Sequence, residues 1–274
     1  IYLIHIFLVL AMTDVGLITH GIRSVPSLGL TTPQVLLNVF NLRWQPTFMD
    51  ILPMYIFFLA AAPLALYFLR KHLTGLLLIE CSVIYAAAQF GFVKFSWMLP
   101  GMAHGFNLAG WQFLFIVGLA AGYHRVDRWL HVPSPMRTKA LLAASIVVIL
   151  SIILARIQAG DFGTFRILSD ALEINLNSKY NSGLLRTVAI FAGAPVGYFL
   201  LGKLAGKKLA APFLEFLQCC GRNSLFIFVG HFTFVAVRFA IHARDWPPVA
   251  QDAWLIATLA CLYFAAKYRQ VVVD

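Results

Sequence analysis

Residues 220–233 read CGRNSLFIFVGHFT, and this stretch passes from a charged edge at Arg222 into uninterrupted apolar sequence. If the stretch is a helix, His231 lies about 14 Å deeper than Arg222, at roughly 1.5 Å of rise per residue. That depth is near the middle of a bilayer. An ionisable side chain there needs partners from protein or trapped water, and it therefore indicates a functional site. The alternative is a histidine that bonds to a neighbouring helix.

The composition of the whole chain indicates a polytopic membrane protein. Of 274 residues, 61% are hydrophobic and 12% are charged, and the mean hydropathy is +0.82. Apolar runs of about 17–25 residues recur, which is the length that a helix needs to cross roughly 30 Å of hydrocarbon. The sequence thus predicts an all-α transmembrane helix bundle in a single integral-membrane domain over residues 1–274. About eight crossings are predicted, at residues 1–19, 49–69, 73–90, 108–124, 139–157, 183–203, 222–241 and 251–268.

The charged residues predict the orientation of these crossings. If the crossings alternate, four basic clusters fall on one side, which the positive-inside rule makes the cytoplasm, so that both visible ends are cytoplasmic. These clusters are Arg70 and Lys71; Arg125, Arg128, Arg137 and Lys139; Lys203, Lys207 and Lys208; and Lys267 and Arg269. Because the basic residues are grouped between apolar runs, the net charge of +10 reflects topology and does not indicate a nucleic-acid partner. The four cysteines form no Cys-x-x-Cys pair, and neither a disulfide framework nor a metal site is predicted.

Two further stretches place polar groups at the ends of predicted spans that lie opposite the cytoplasmic side. Asp50 begins the second predicted span, where its carboxylate would either cap the helix or serve a site. Trp111 and Gln112 begin the fourth span and offer a flat apolar face and a donor–acceptor pair, which suits a sugar ring. Membrane anchoring is the alternative for the tryptophan. Glu80 lies within the third span and is expected to be a buried partner in helix packing.

Together, these stretches resemble the OpgC family, bacterial inner-membrane proteins linked to succinylation of osmoregulated periplasmic glucans, within the type-3 acyltransferase superfamily. The residues that carry the resemblance are Tyr2-Leu-Ile-His5, Asp50-Ile-Leu-Pro-Met-Tyr55, Phe106-Asn107 with Trp111-Gln112-Phe-Leu-Phe, and Gly221-Arg-Asn-Ser-Leu-Phe-Ile-Phe with His231. The last is similar to the superfamily's Gly-x-x-Ser-x-x-x-Tyr-x-x-His helix, with Phe228 in place of the usual tyrosine. The resemblance implies about ten helices in the intact fold. The superfamily's arginine–histidine element is then expected upstream of Ile1, with about two helices and the general base.

The resemblance also implies a reaction and a set of site residues. An acyl group, with succinyl as the leading candidate, would pass from acyl-CoA (succinyl-CoA) on the cytoplasmic side to a hydroxyl of a periplasmic glucan, without a tightly bound cofactor. His231 would support the catalytic site and Asp50 would be its second catalytic candidate. The residues expected to meet the glucan are Asn107, Trp111, Gln112, Tyr180 and Asn181, and those expected to meet the donor are Arg222, Asn223 and Ser224. For Tyr180 and Asn181 the alternative is an ordinary turn before the sixth span.

A transporter or flippase of saccharides or lipid-linked sugars is the alternative function. In that hypothesis His231, Glu80 and Asp14 relay protons through the membrane. Paired broken helices would favour it, and the sequence does not show them.

Overall fold

A computed structural model of the chain describes residues 1–19, 32–44, 50–95, 106–125, 134–158, 180–241 and 246–273, and these residues form helices and no strand. The helices are α1 (Tyr2–Thr19), α2 (Thr32–Phe40), α3 (Ile51–Arg70), α4 (Thr74–Gln89), α5 (Leu108–Tyr123), α6 (Ser134–Gln158), α7 (Leu184–Leu204), α8 (Ala211–Arg222), α9 (Ser224–Ala240) and α10 (Pro248–Val273), with a 3₁₀ turn at Lys208–Ala210.

Each predicted span coincides with one helix, and the all-helical prediction is confirmed for the described residues. Four helical segments are long and apolar enough to cross a membrane, namely Ile51–Arg70, Pro135–Leu154, Leu184–Leu204 and Pro248–Arg269. The other predicted spans stay predictions, so the structure gives four candidate crossings where the sequence predicts about eight. Helix α8 has no counterpart among the predicted spans.

The chain divides into two units, of which unit 1 comprises Ile1–Ile6 and Leu28–Phe199, and unit 2 comprises Phe7–Ser27 and Leu200–Asp274. The integral-membrane domain that the sequence predicts over the whole chain stays a prediction.

The core of unit 1 is built where α3, α4 and α5 pack together. Small residues on all three helices let their backbones approach closely, as in many membrane bundles. The buried cluster consists of Ala65, Leu69, Leu77, Cys81, Ile116 and Ala120. A second cluster, at the start of α3 and α5, contains Met54, Phe58, Phe106 and Leu108. The ring of Phe58 stacks on that of Phe115 with centroids 5.1 Å apart, which joins the two clusters.

Large apolar side chains on α6 are left outside this core. Ile146, Ile149 and Ile152 are each more than half exposed. In a soluble protein such a surface would be a liability, whereas hydrocarbon is a suitable environment for it. The exposed isoleucines therefore agree with a membrane location for this helix.

In unit 2, α8, α9 and α10 contact one another. Pro248 is the first residue of α10, a position at which its missing N–H would have no helical partner. Aromatic rings link the helices: Phe216 lies 5.2 Å from Tyr263, and Phe234 lies 6.3 Å from Trp254, between ring centroids. Only Asn223 lies between α8 and α9, so these two helices are joined almost directly.

Candidate functional site

The predicted site residues are distributed over both units. The catalytic candidate Asp50 and the glucan candidates belong to unit 1, whereas His231 and the donor candidates belong to unit 2. The geometry of each group is described within its own unit.

Asn107 is a fully buried side chain that makes every hydrogen bond its amide can offer. Its Oδ1 accepts from the backbone N–H of Ala109 and of Phe95, both at 3.1 Å, and the first of these bonds caps the N-terminus of α5. Its Nδ2 donates to the Val93 carbonyl at 3.0 Å and to Asn181 Oδ1 at 2.9 Å. With two donors and two acceptor sites all used, the amide is saturated within the protein.

The turn before α7 packs directly against the start of α5. The backbone N–H of Asn107 donates to the Tyr180 carbonyl at 2.9 Å, and Asn181 Nδ2 donates to the Ala88 carbonyl at 3.3 Å. Gly110 allows this approach, because a Cβ at that position would lie 2.2 Å from the Asn181 carbonyl oxygen. Burial raises the pKa of the Tyr180 phenol, so at neutral pH its hydroxyl stays protonated.

Further polar side chains of α4 and α7 complete this buried region. The Tyr85 hydroxyl donates to the Ser182 carbonyl at 2.9 Å and lies 3.1 Å from Thr187 Oγ1. Gln89 Nε2 donates to the Asn181 carbonyl at 2.9 Å. We call the set the Asn107 cluster; it consists of Tyr85, Gln89, Asn107, Asn181, Ser182 and Thr187. Tyr85, Gln89, Ser182 and Thr187 were not predicted as site residues from the sequence. The available signal for close packing here was Gly110, which follows Asn107 by three residues at the start of the fourth predicted span.

Trp111 and Gln112 follow the Asn107 cluster along α5 and are both partly buried. The Trp111 ring meets Phe106 edge to face at 5.1 Å and packs against the aromatic core at the start of α3. Gln112 Nε2 donates to the carbonyls of Cys81 and Ala109, at 2.8 and 3.3 Å. Among the residues that the structure describes, no group donates to Gln112 Oε1, which leaves this oxygen as an acceptor.

Asp50 occupies the position before the first residue of α3, and its side chain makes no capping hydrogen bond to that helix. The capping alternative therefore lacks its characteristic contact. The carboxylate is partly buried, and its position still gains from the positive end of the α3 dipole.

His231 lies in the middle of α9, and its ring orientation is set by its own helix. Nδ1 makes a hydrogen bond to the carbonyl oxygen of Phe228, one turn earlier. Because a carbonyl can only accept, Nδ1 carries the proton, and Nε2 of the neutral imidazole keeps its lone pair. The rings of Phe228 and Phe232 flank the imidazole at 5.3 and 4.3 Å between centroids. No described residue donates a hydrogen bond to Nε2.

The donor candidates lie at the junction of α8 and α9. Arg222 is the last residue of α8 and Ser224 the first of α9, and both are exposed. Asn223 Nδ2 donates to the Cys219 carbonyl at 3.0 Å and so closes the end of α8. Close by, the pKa of the Cys220 thiol is raised by burial and, to a lesser extent, by Cys219, which does not suit a nucleophile at neutral pH.

A comparison with protein-family models identifies the family of this chain. The model described as OpgC protein matches residues 1–272. The chain belongs to the OpgC family. Neither the curated proteins nor the solved structures searched gave a significant match. Membership in OpgC, a membrane family, and four apolar helices of spanning length identify a membrane protein, and the family points to a role in glucan modification.

The proton-relay residues of the alternative hypothesis are divided between the two units: Glu80 belongs to unit 1, and Asp14 and His231 belong to unit 2. Glu80, expected to be a buried partner, is exposed on α4, whose buried residues Leu77 and Cys81 belong to the core formed with α3 and α5. The side chain of Asp14 and the whole of Arg128 lie outside the described residues.

Proposed function

We propose that this OpgC-family protein is a membrane acyltransferase that moves a succinyl group from a cytoplasmic acyl-CoA to hydroxyls of periplasmic glucans. In this reaction the sugar oxygen forms a bond to the thioester carbonyl carbon, the carbon–sulfur bond breaks, and coenzyme A leaves as its thiol with the proton. The family match supports the class of reaction, and the orientation of the His231 ring is the single structural observation that carries the site assignment.

His231 acts as an acceptor at Nε2. A neutral imidazole with Nδ1 bonded to the Phe228 carbonyl can accept a hydrogen bond only at Nε2. Such an acceptor in an apolar helix can orient a sugar hydroxyl and polarise its O–H bond as the oxygen attacks. Asp50 is the second catalytic candidate, and its partly buried carboxylate lies at the start of α3.

On the donor side, Arg222 and Ser224 are exposed where α8 ends and α9 begins. Helix N-termini present N–H groups without helical partners, which suit phosphate oxygens, and the Arg222 guanidinium adds a full positive charge. Arg222, Asn223 and Ser224 are therefore assigned to the phosphates of acyl-CoA.

On the glucan side, we assign contact to Trp111, Gln112 and Tyr180, and positioning to Asn107 and Asn181. The Gln112 Oε1 acceptor has capacity left for a sugar hydroxyl, and the Trp111 ring beside it is partly exposed. Asn107 has none, because its four hydrogen bonds are made within the protein. The expectation that Asn107 meets the glucan directly is thus replaced by the proposal that it holds the start of α5.

The test is mass spectrometry of periplasmic glucans from cells that lack the gene and from cells that carry it on a plasmid. We expect succinyl increments to vanish without the gene, to return with the wild-type chain, and to fall about 100-fold with His231→Ala, within the range for a group that assists proton transfer. The matched control is His124→Ala, which removes an imidazole that bonds to Thr74 at the end of α5.

Equal membrane levels of the variants must be verified by immunoblot. Glucans that are unchanged on deletion of the gene would refute the transferase assignment and make transport the next hypothesis. Full acylation by His231→Ala, with loss on deletion, would retain the reaction and remove His231 from the site.

A further inference from the structure

Unit 2 carries an exposed surface that the proposed reaction does not use. Leu209, in the 3₁₀ turn before α8, is 96% exposed, and Phe213, in the first turn of α8, is 52% exposed. Lysines at three nearby positions are also exposed. We call this surface the Leu209 patch; it consists of Lys203, Lys207, Lys208, Leu209 and Phe213.

Helix α8 is too short to cross a bilayer, and the distribution of its apolar and polar residues suits a position at the membrane surface. Its 12 residues extend about 18 Å, against roughly 30 Å of hydrocarbon. At 100° per residue, Phe213, Leu217 and Cys220 share one face. Glu215, Gln218 and Arg222 share the opposite face. A short helix with one apolar and one polar face is typical of the membrane interface.

Contacts within unit 2 place α8 at the level where candidate crossings end. The segment Leu184–Leu204 ends one residue after Lys203 of the Leu209 patch, and the segment Pro248–Arg269 ends two residues beyond Lys267. Lys267 Nζ lies 2.7 Å from Glu215 Oε1, and Phe216 packs on Tyr263 at 5.2 Å between ring centroids. The ends of two candidate crossing segments thus lie close to α8, one along the chain and one through these contacts, which favours a position of α8 at the membrane interface.

From these observations we propose that the Leu209 patch docks on an anionic lipid surface. Leu209 and Phe213 insert into the boundary between headgroups and acyl chains, while Lys203, Lys207 and Lys208 bind lipid phosphates. A free phosphate group, such as that of a soluble donor, would account for the lysines alone. It would leave unexplained a leucine with almost its whole surface exposed between them and α8.

Lipid docking would also affect the proposed site. Because Asn223 is the only residue between α8 and α9, the position of α8 sets where α9 begins, seven residues before His231. The docking proposal does not depend on acyl transfer, and its test measures lipid binding without any activity.

The test uses the purified full chain reconstituted in nanodiscs of phosphatidylcholine with one-fifth phosphatidylglycerol. Native mass spectrometry after transfer to detergent then counts the phosphatidylglycerol molecules that stay bound. We expect Lys207→Gln with Lys208→Gln to weaken retention about 25-fold, at about 5-fold for each lysine near an anionic surface. Leu209→Gln should also reduce retention, whereas the control Lys94→Gln, an exposed lysine of unit 1, should not.

Competition separates the two sources of phosphate. Lipid retention that is unaffected by millimolar coenzyme A, and lost in the double variant, supports the proposal. Displacement of lipid by coenzyme A, or unchanged retention in the lysine variants and in Leu209→Gln, would overturn it. Since all these side chains are exposed, the variants are expected to fold, and size-exclusion profiles check this.

Discussion

The Asn107 cluster of unit 1 and His231 of unit 2 are both polar features within apolar helices, and they differ in how completely the protein satisfies them. Asn107 makes four hydrogen bonds to neighbouring groups and has no exposed surface. His231 uses Nδ1 on its own helix and keeps Nε2 without a donor among the described residues. Saturated polar groups rigidify a fold, whereas an available lone pair in an apolar setting can act on a substrate. The comparison therefore separates a saturated polar cluster from a histidine that keeps an acceptor for the proposed reaction.

Gly110→Ala should have the largest effect on this comparison. Its Cβ would lie 2.2 Å from the Asn181 carbonyl oxygen and 2.7 Å from the carbonyl carbon, and both atoms belong to the backbone. We expect a loss of about 3 kcal/mol or more in the free energy of unfolding, since relief of the clash requires the backbone of α5 or of the turn to move. The midpoint of thermal unfolding in detergent measures it.

Gly118→Ala, on the same helix, is the matched control, because nothing lies within 4 Å of its added Cβ. It should leave the midpoint unchanged or raise it slightly, through the better helix propensity of alanine. If Gly110→Ala and Gly118→Ala have the same unfolding midpoint, this result would contradict the close packing of α5 against the turn before α7.

Asn107→Ala should have the next largest effect. The change leaves four groups without their partner, of which the Ala109 N–H and the Asn181 amide oxygen are buried, and should cost about 2–3 kcal/mol. Acylation per folded molecule should stay near that of the wild type, in contrast to His231→Ala. Thermal unfolding and glucan mass spectrometry on the same preparations distinguish the two.

Asn38→Ala is the control for Asn107, since the side chain of this partly buried asparagine donates a single hydrogen bond, to the Gln34 carbonyl at 2.7 Å within α2. A change within about 0.5 kcal/mol is expected there. If Asn107→Ala abolished acylation without loss of stability, Asn107 would belong with His231, and the separation drawn above would fail.

The positions of the helices were largely predictable from the sequence. Hydropathy runs located all eight predicted segments on helices, because the length and apolar character of such a run are local properties. Helix α8 was missed, since a 12-residue amphipathic helix lacks the long apolar run that hydropathy detects. Four of the predicted crossings are supported by length and composition in the structure.

The candidate site was less predictable than the fold. Asn107 and Asn181 were both selected from the sequence, but their mutual hydrogen bond joins residues 74 positions apart. Saturation of a side chain depends on such distant neighbours, so a substrate contact could not be told from a packing contact. At His231 the decisive partner, the Phe228 carbonyl, is only three residues away, and the helical spacing already places it within reach.

Tyr85→Phe should have a smaller effect within the Asn107 cluster. The phenylalanine keeps the ring, which stacks on Phe113 at 4.9 Å between centroids, and removes only the hydroxyl. The Ser182 carbonyl would still accept from Thr187 Oγ1 at 2.9 Å. We therefore expect a loss of about 1 kcal/mol. An unchanged unfolding midpoint would show that the hydroxyl adds nothing to the stability of this cluster.

Phe228→Tyr should have the smallest effect and sharpens the comparison from the side of unit 2. It introduces a tyrosine, the residue that is usual at the equivalent position of the acyltransferase helix motif which this stretch resembles. The contact that orients His231 comes from the backbone carbonyl of residue 228, which the substitution does not alter. The ring meets His231 and Phe232 at 5.3 and 5.1 Å between centroids, and a phenol keeps that aromatic surface. Acylation should therefore change less than about 2-fold, a difference that corresponds to about 0.5 kcal/mol. Glucan mass spectrometry measures acylation in this variant and in His231→Ala, so that the two changes can be compared. A rise of tenfold or more would mean that the phenol itself joins the chemistry, and the histidine would then not be the only polar group that this helix contributes to the site.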